Sequence, residues 1–79
     1  MDKKNITAEE TFTLAEQNQQ KNNLLVAENL YKETLNINPH HLEAHNNLGV
    51  IFLQLEKFQE AKSSYQKAIQ INPSYASAH

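Results

Sequence analysis

The residues of this chain that could bind a metal ion are its histidines. His41 and His45 are four positions apart, a spacing that places both imidazoles on one face of a helix. Two imidazoles without a third ligand bind a divalent metal weakly, and the sequence offers no cysteine or well-placed carboxylate to complete the site. We therefore predict no metal and no cofactor. We expect His45 to pack between helices and His40 and His41 to lie in a loop.

Catalysis would need a nucleophile beside a base, or a pair of carboxylates held in a fixed geometry. No serine lies in the strained strand-to-helix turn that activates a hydrolase nucleophile, and the sequence has no glycine-rich phosphate loop. The nine acidic residues are spread along faces that we expect to be solvated, where Glu28 and Lys32 form an ordinary helical ion pair. The chain is therefore predicted not to be an enzyme.

Composition limits the remaining function classes. The 79 residues are enough for one small domain, and 39% hydrophobic with 20% charged residues is typical of a folded protein. A net charge of −2 argues against a nucleic-acid partner, because phosphate backbones need clustered lysine and arginine. The longest apolar run, residues 50–53, is too short to span a bilayer, and the amino terminus does not have the pattern of a secretory signal. We expect a cytoplasmic protein with no membrane partner.

The chain repeats itself at one fixed interval, and this repeat must set the position of every side chain discussed above. The identical pairs share one phase: Ala27 with Ala61, Tyr31 with Tyr65, and the Ile-Asn-Pro runs at 37–39 and 71–73. Apolar and small residues recur at three- and four-residue spacing, which is typical of an amphipathic helix. We predict four helices, at residues 8–21, 24–37, 41–55 and 58–71. Thr7 and Glu10 are predicted to form a capping box at the start of the first helix.

This pattern resembles the tetratricopeptide repeat, a 34-residue helix–turn–helix unit. Residues 42–75 follow the family pattern well, through Leu48-Gly49, Phe52, Ala61, Tyr65, Ala68 and Pro73, with His45 where the family often has tryptophan. Residues 8–41 depart from it, with polar side chains at positions where the family is apolar or small: Thr11, Asn18 and Thr34. The departures predict a looser first repeat.

The resemblance implies an all-α fold of antiparallel helix-hairpin repeats, a tetratricopeptide α-solenoid. We expect a disordered lead at residues 1–7, a first repeat at 8–41, a second at 42–75 and the start of a truncated third at 76–79. The second repeat is also similar to those of the O-linked N-acetylglucosamine transferase arrays, in which an asparagine at the position of Asn47 holds a peptide backbone.

The resemblance further implies that the first helix of each repeat lines a concave groove for an extended peptide or a partner helix. The expected groove residues are Phe12, Thr13, Glu16, Gln20, Glu43, Asn46, Asn47, Val50, Leu53 and Gln54. Asn46 and Asn47 could equally be solvated side chains without a ligand. Val50 and Leu53 could form an apolar floor for a ligand, or be covered by a neighbouring chain.

Repeats of this kind bury their apolar faces on the next unit, and at least three units are normally needed for stability. Two units would leave one face of the last helix uncovered. The expected self-association face consists of Phe58, Tyr65, Ala68 and Ile69. In this truncated form we therefore expect a homo-oligomer, with or without exchanged helices.

The leading functional prediction is a protein–protein interaction scaffold, the amino-terminal part of a longer tetratricopeptide protein, whose partner is a protein or peptide. One alternative is a self-associating assembly module, whose ligand is a second copy of the chain. Another is the targeting arm of an enzyme, such as a glycosyltransferase encoded further along the same chain.

Overall fold

The computed structural model describes residues 6–74, which fold into four α-helices. They are α1 (Ala8–Gln20), α2 (Leu24–Ile37), α3 (Leu42–Gln54) and α4 (Phe58–Ile71). No strand occurs within residues 6–74. The helices repeat at the same sequence interval as the residues. α3 begins and ends as far after α1 as Ala61 lies after Ala27, and the same holds for α4 after α2. The predicted all-α helix-hairpin repeat fold is confirmed, and the predicted helix bounds agree with the structure to within one residue.

The start of α1 is held by the predicted capping box. The Thr7 hydroxyl accepts a hydrogen bond from the Glu10 N–H at 3.1 Å, and the Glu10 carboxylate accepts one from the Thr7 N–H at 3.0 Å. Two backbone donors that the helix leaves unpaired are thereby satisfied. Thr7 thus belongs to the folded unit, although we assigned it to the disordered lead. Residues 1–5 of that lead, and the predicted third repeat at 76–79, lie outside the described residues.

Both hairpins turn in the same way. The residue after each first-helix cap is left-handed, with φ of 64° at Asn22 and 61° at Glu56. The next amide donates to a carbonyl five residues earlier, at 2.8 Å in the first hairpin and 2.7 Å in the second. This is the Schellman arrangement, which satisfies carbonyls at the end of a helix. The turn geometry therefore repeats together with the helices.

The hydrophobic core lies where α2 packs against α1 and α3, and continues where α4 packs against α3. Its buried members are Phe12, Ala15, Ala27, Tyr31, Ala44, Leu48, Ile51, Phe52 and Ala61. Small residues in this set let the helices approach closely. Gly49 shows the same principle, because a Cβ there would lie 2.9 Å from the ring of Tyr65. A glycine is therefore needed at this position of α3 to leave room for the Tyr65 ring.

The polar departures of the first repeat are hydrogen-bonded inside the structure. Thr11 and Thr34 are buried, and their hydroxyl oxygens lie 2.8 Å apart. The hydroxyl oxygen of Thr11 also lies 3.0 Å from the Ala8 carbonyl, and that of Thr34 lies 2.9 Å from the Leu30 carbonyl. The two hydroxyl groups have one hydrogen each to donate and three acceptors within reach, so each threonine has a hydrogen-bond partner. The prediction of a looser first repeat stays a prediction, although these contacts show that Thr11 and Thr34 are paired within the core.

Candidate interaction surface

His41 joins the start of α3 to α1. Its Nδ1 accepts a hydrogen bond from the Ala44 N–H at 3.2 Å, so a neutral imidazole there carries its proton on Nε2. That Nε2 donates to the Glu9 carboxylate at 3.2 Å, and the ring stacks on Phe12 with centroids 4.6 Å apart. The side chain therefore caps one helix and contacts the other. His41 lies in the connection before α3, as predicted, but the sequence did not predict that it is buried and caps the helix.

His45 is buried, as predicted from its place in the tryptophan-like position. Its Nε2 donates to the Pro39 carbonyl at 2.9 Å, which ties α3 to the preceding connection. Within residues 6–74 no group of three or more histidine, cysteine, aspartate or glutamate residues is placed to hold a metal ion. The histidine pair therefore serves the packing of α3 in this part of the chain.

A chain of hydrogen bonds connects three helices through the hydroxyl of Tyr31. Tyr31 is fully buried, and its hydroxyl donates to the Gln19 side-chain carbonyl on α1. The Asn47 amide on α3 in turn donates to the Tyr31 hydroxyl at 3.2 Å. Burial raises the pKa of Tyr31, the hydrogen bond from Asn47 opposes that rise, and the negative charge of Glu16 adds to it. The Tyr31 hydroxyl thus links a side chain of α1 to a side chain of α3.

The two asparagines of α3 differ in their surroundings. Asn47 is half-buried and one of its amide hydrogens is committed to Tyr31, so its oxygen is the atom left to accept from a ligand. Asn46 is also half-buried, and its Oδ1 is the one buried side-chain oxygen or nitrogen without a partner among residues 6–74. The sequence pattern alone did not reveal the structural role of Asn47, because it depends on a tyrosine sixteen residues earlier in the chain.

The remaining expected groove residues lie at the surface of α1 and α3, with one exception. Phe12 is 6% exposed and belongs to the core, where it contacts Tyr31 and His41. Leu53 is 45% exposed, and Val50 is half-buried one turn earlier. The polar residues at the surface, half-buried or exposed, are Thr13, Glu16, Gln20, Glu43 and Gln54. An apolar strip on α3 is thus flanked by polar side chains.

A buried carboxylate joins the two hairpins at a separate place. Glu28 is 5% exposed and bonds to Lys32 at 2.8 Å and to Lys57 at 3.3 Å. Burial raises the pKa of Glu28, but the hydrogen bonds and charges of the two lysines outweigh it and lower the pKa below its usual value. Both ammonium groups also lie 5.8 Å from the centroid of the Phe52 ring. The predicted Glu28–Lys32 pair is confirmed. The expectation that Glu28 lies on a solvated face is wrong, because the second hairpin covers it and Lys57 adds a tertiary contact.

The expected self-association face lies on α4. Phe58 is 61% exposed and Ile69 is 37% exposed, while Tyr65 is half-buried. Ala68 is 1% exposed, so its side chain belongs to the packed side of the helix. Among residues 6–74, no helix is both long enough and apolar enough to cross a membrane.

The comparison with protein families gives one match for this arrangement of helices. Residues 42–75, which contain α3 and α4, match the family model described as tetratricopeptide repeat. No curated protein sequence matches the chain significantly. The matched residues are those predicted for the second repeat, and they coincide with the second helix hairpin. Together with the helix-hairpin fold, this match supports the tetratricopeptide repeat family for the chain.

Proposed function

We propose that the chain is a protein-interaction scaffold that binds an extended peptide or a partner helix along α1 and α3. The tetratricopeptide repeat is generally a protein–protein interaction module, which supports the broad class. The observation that carries the proposal is the strip on α3 formed by Asn47, Val50 and Leu53. These residues share one side of the helix at three-residue spacing, and Leu53 remains 45% exposed. Apolar surface beside a free acceptor suits a ligand that offers both side chains and backbone N–H groups.

The proposal includes two consecutive repeats, at residues 8–41 and 42–75. The family match covers the second of these units. The first unit is supported by its likeness to the second. Its two helices and its left-handed turn residue all lie at one constant sequence distance before the equivalent features of the second unit. The proposed peptide-binding groove keeps the expected residues of α1 and α3 apart from Phe12, whose ring is enclosed.

Binding through α3 is tested with a matched pair of leucine substitutions. Peptides are selected from a random library against the full chain, and their affinities are measured by fluorescence anisotropy. Leu53→Ser should weaken binding about tenfold or more, since a buried leucine contributes about 1.5–3 kcal/mol. Leu25→Ser is the control, because Leu25 on α2 is 65% exposed and lies outside the groove. Equal effects of the two substitutions would contradict the proposal.

Self-assembly through α4 is the second candidate, and the exposure of Phe58 and Ile69 favours it. Light scattering over about a hundredfold range of concentration tests it, because association obeys mass action. A stable oligomer that Phe58→Ser converts to a folded monomer would make self-assembly the leading function. A folded monomer at every concentration would exclude this candidate.

Three finer points from the sequence stay predictions. They are the likeness to O-linked N-acetylglucosamine transferase arrays, a link to an enzyme and a cytoplasmic location. The first rests on Asn47, and the variant Asn47→Ala tests it together with groove binding. The affinity for a selected peptide and the free energy of unfolding are measured separately, because the substitution also removes the hydrogen bond to Tyr31. The other two are tested by sequencing the transcript and by cell fractionation.

A further inference from the structure

The glutamates of α1 and α3 give the proposed peptide-binding surface a single sign of charge. The two helices contain no lysine and four glutamates: Glu9, Glu10, Glu16 and Glu43. The five lysines within residues 6–74 lie in α2, in α4 or in the turns inside the hairpins. A ligand along α1 and α3 therefore meets negative charge that no lysine of these helices offsets.

Three hydrogen bonds within the surface use side-chain donors. The Tyr31 hydroxyl donates to Gln19, the Asn47 amide donates to Tyr31, and His41 Nε2 donates to Glu9. The acceptors that remain for a ligand include the Asn47 carbonyl and the carboxylates of Glu16 and Glu43, beside the neutral side chains of Thr13 and Gln20, which can both donate and accept. The charged groups of this set are carboxylates, which only accept hydrogen bonds, so they favour a ligand with positively charged N–H donors.

An open depression at the start of α1 has the same chemistry. Its volume is about 520 Å³, and its lining is formed by Ile6, Glu9, Glu10, Thr13 and Leu14. Leu14 is 46% exposed and Ile6 is 56% exposed, so apolar surface lies beside the carboxylates. This depression, like the strip on α3, combines exposed apolar side chains with oxygen acceptors, and its lining contains no cation.

We propose that the segment bound along α1 and α3 is a basic peptide, an extended chain with two lysine or arginine side chains and an apolar residue. The inference rests on the proposed function and specifies its partner. A lysine or arginine supplies the positive charge that α1 and α3 lack, on N–H groups that can donate to the carboxylates. The apolar residue lies against Val50 and Leu53.

The spacing of the two cations follows from the helices. Glu9 contacts His41, and Glu43 lies two residues after His41 in the first turn of α3, so these two carboxylates lie at the same end of the surface. Glu16 follows Glu9 by seven residues, which is ~10 Å along an α-helix. An extended chain covers that distance in about three residues. The bound peptide therefore carries its basic residues about three positions apart.

Three labelled peptides that differ only at those two basic positions test the proposal on the full chain. They carry lysine, glutamine or glutamate there, and their dissociation constants are measured by fluorescence anisotropy at low and high salt. The lysine peptide should bind about tenfold tighter than the glutamine peptide, and salt should remove that advantage. The double variant Glu16→Gln/Glu43→Gln should also remove it.

Glu33→Gln/Glu60→Gln is the matched control, because it makes the same change in net charge on α2 and α4. Glu60 lies in the first turn of α4 as Glu43 does in α3. The control should leave the preference for the lysine peptide intact. Equal weakening by both double variants, or equal binding of the glutamine or glutamate peptide, would overturn the inference while groove binding remained. If no peptide of any charge binds, both the inference and the proposed function fail.

Discussion

Tyr31 and Tyr65 occupy the same position in the two hairpins, yet their burial differs. Tyr31 is fully buried between its own hairpin and α3, whereas Tyr65 is half-buried. Leu14 and Leu48 are also equivalent, but here the first is the more exposed, at 46% against 5%. The reason is that α2 precedes and covers α3, whereas no helix precedes α1 among residues 6–74. The comparison teaches that the repeat sets each helix and turn, while the neighbouring hairpin decides how deeply each side chain is buried.

The largest expected effect compares the two tyrosines directly. Tyr31→Ala should lower the free energy of unfolding by about 4 kcal/mol, since it empties a fully enclosed position. Tyr65→Ala should cost about half as much, because part of that ring already contacts water. Urea denaturation followed by circular dichroism measures both values. Equal losses would mean that the next hairpin adds nothing to the burial of Tyr31.

A milder variant keeps Tyr31 testable if the alanine variant does not fold. Tyr31→Phe retains the ring and removes the hydroxyl that links Gln19 to Asn47, so it should cost about 1 kcal/mol. In the wild type the raised pKa of Tyr31 contributes stability that is fully present below the unfolded pKa and is lost as pH rises through the folded pKa. The phenylalanine variant should lack that alkaline loss.

The buried carboxylate at the hairpin interface should give the next largest effect. Glu28→Gln should lower the free energy of unfolding by about 2 kcal/mol at neutral pH, because two lysine hydrogen bonds lose their charged acceptor. Glu28 has a lowered pKa, so its contribution is present above the unfolded pKa and is lost as pH falls through the folded pKa. The difference between wild type and variant should therefore shrink in acid. A difference independent of pH would contradict this assignment.

Gly49 sharpens the comparison through a change of sign. Gly49→Ala alone should destabilise the chain by about 1 kcal/mol, since the added Cβ lies 2.9 Å from the Tyr65 ring. In a Tyr65→Ala background the same substitution should instead stabilise it by about 1 kcal/mol through helix propensity. A double-mutant cycle by urea denaturation measures the coupling. Stabilisation in both backgrounds would show that the Tyr65 ring moves aside without cost.

The smallest effect concerns the turns. Glu56→Gly should raise the free energy of unfolding by about 1 kcal/mol, because Glu56 has a left-handed backbone that a side chain disfavours. Asn22→Gly should gain only a few tenths, since asparagine tolerates that conformation better. Thermal denaturation of the two variants measures the difference. Equal gains would mean that the residue type in the turn does not matter.

The sequence was sufficient for the helices because each one carries local patterns. Apolar spacing, the Thr7–Glu10 capping box and the closing prolines all act within a few residues, and the predicted bounds agree with the structure. Gly49 follows the family pattern, and the Tyr65 ring explains why a glycine fits there.

The contacts between elements could not be predicted in the same way. The burial and capping role of His41 were not predicted, because its partners Glu9 and Phe12 belong to a different helix much earlier in the chain. Phe12 was expected to face a ligand, but stacking on His41 encloses it in the core. In both cases the outcome depends on how closely α1 and the start of α3 approach each other, which no local pattern determines.

Backbone amide shifts of the ¹⁵N-labelled full chain show whether α1 and α3 form the binding surface. A peptide selected against the chain is titrated in, and the perturbed amides are assigned to helices. The account predicts that the largest shifts cluster in residues 9–20 and 43–54, with saturation at one stoichiometric equivalent. Shifts confined to residues 58–71 of α4 would contradict it and place the partner on the other face.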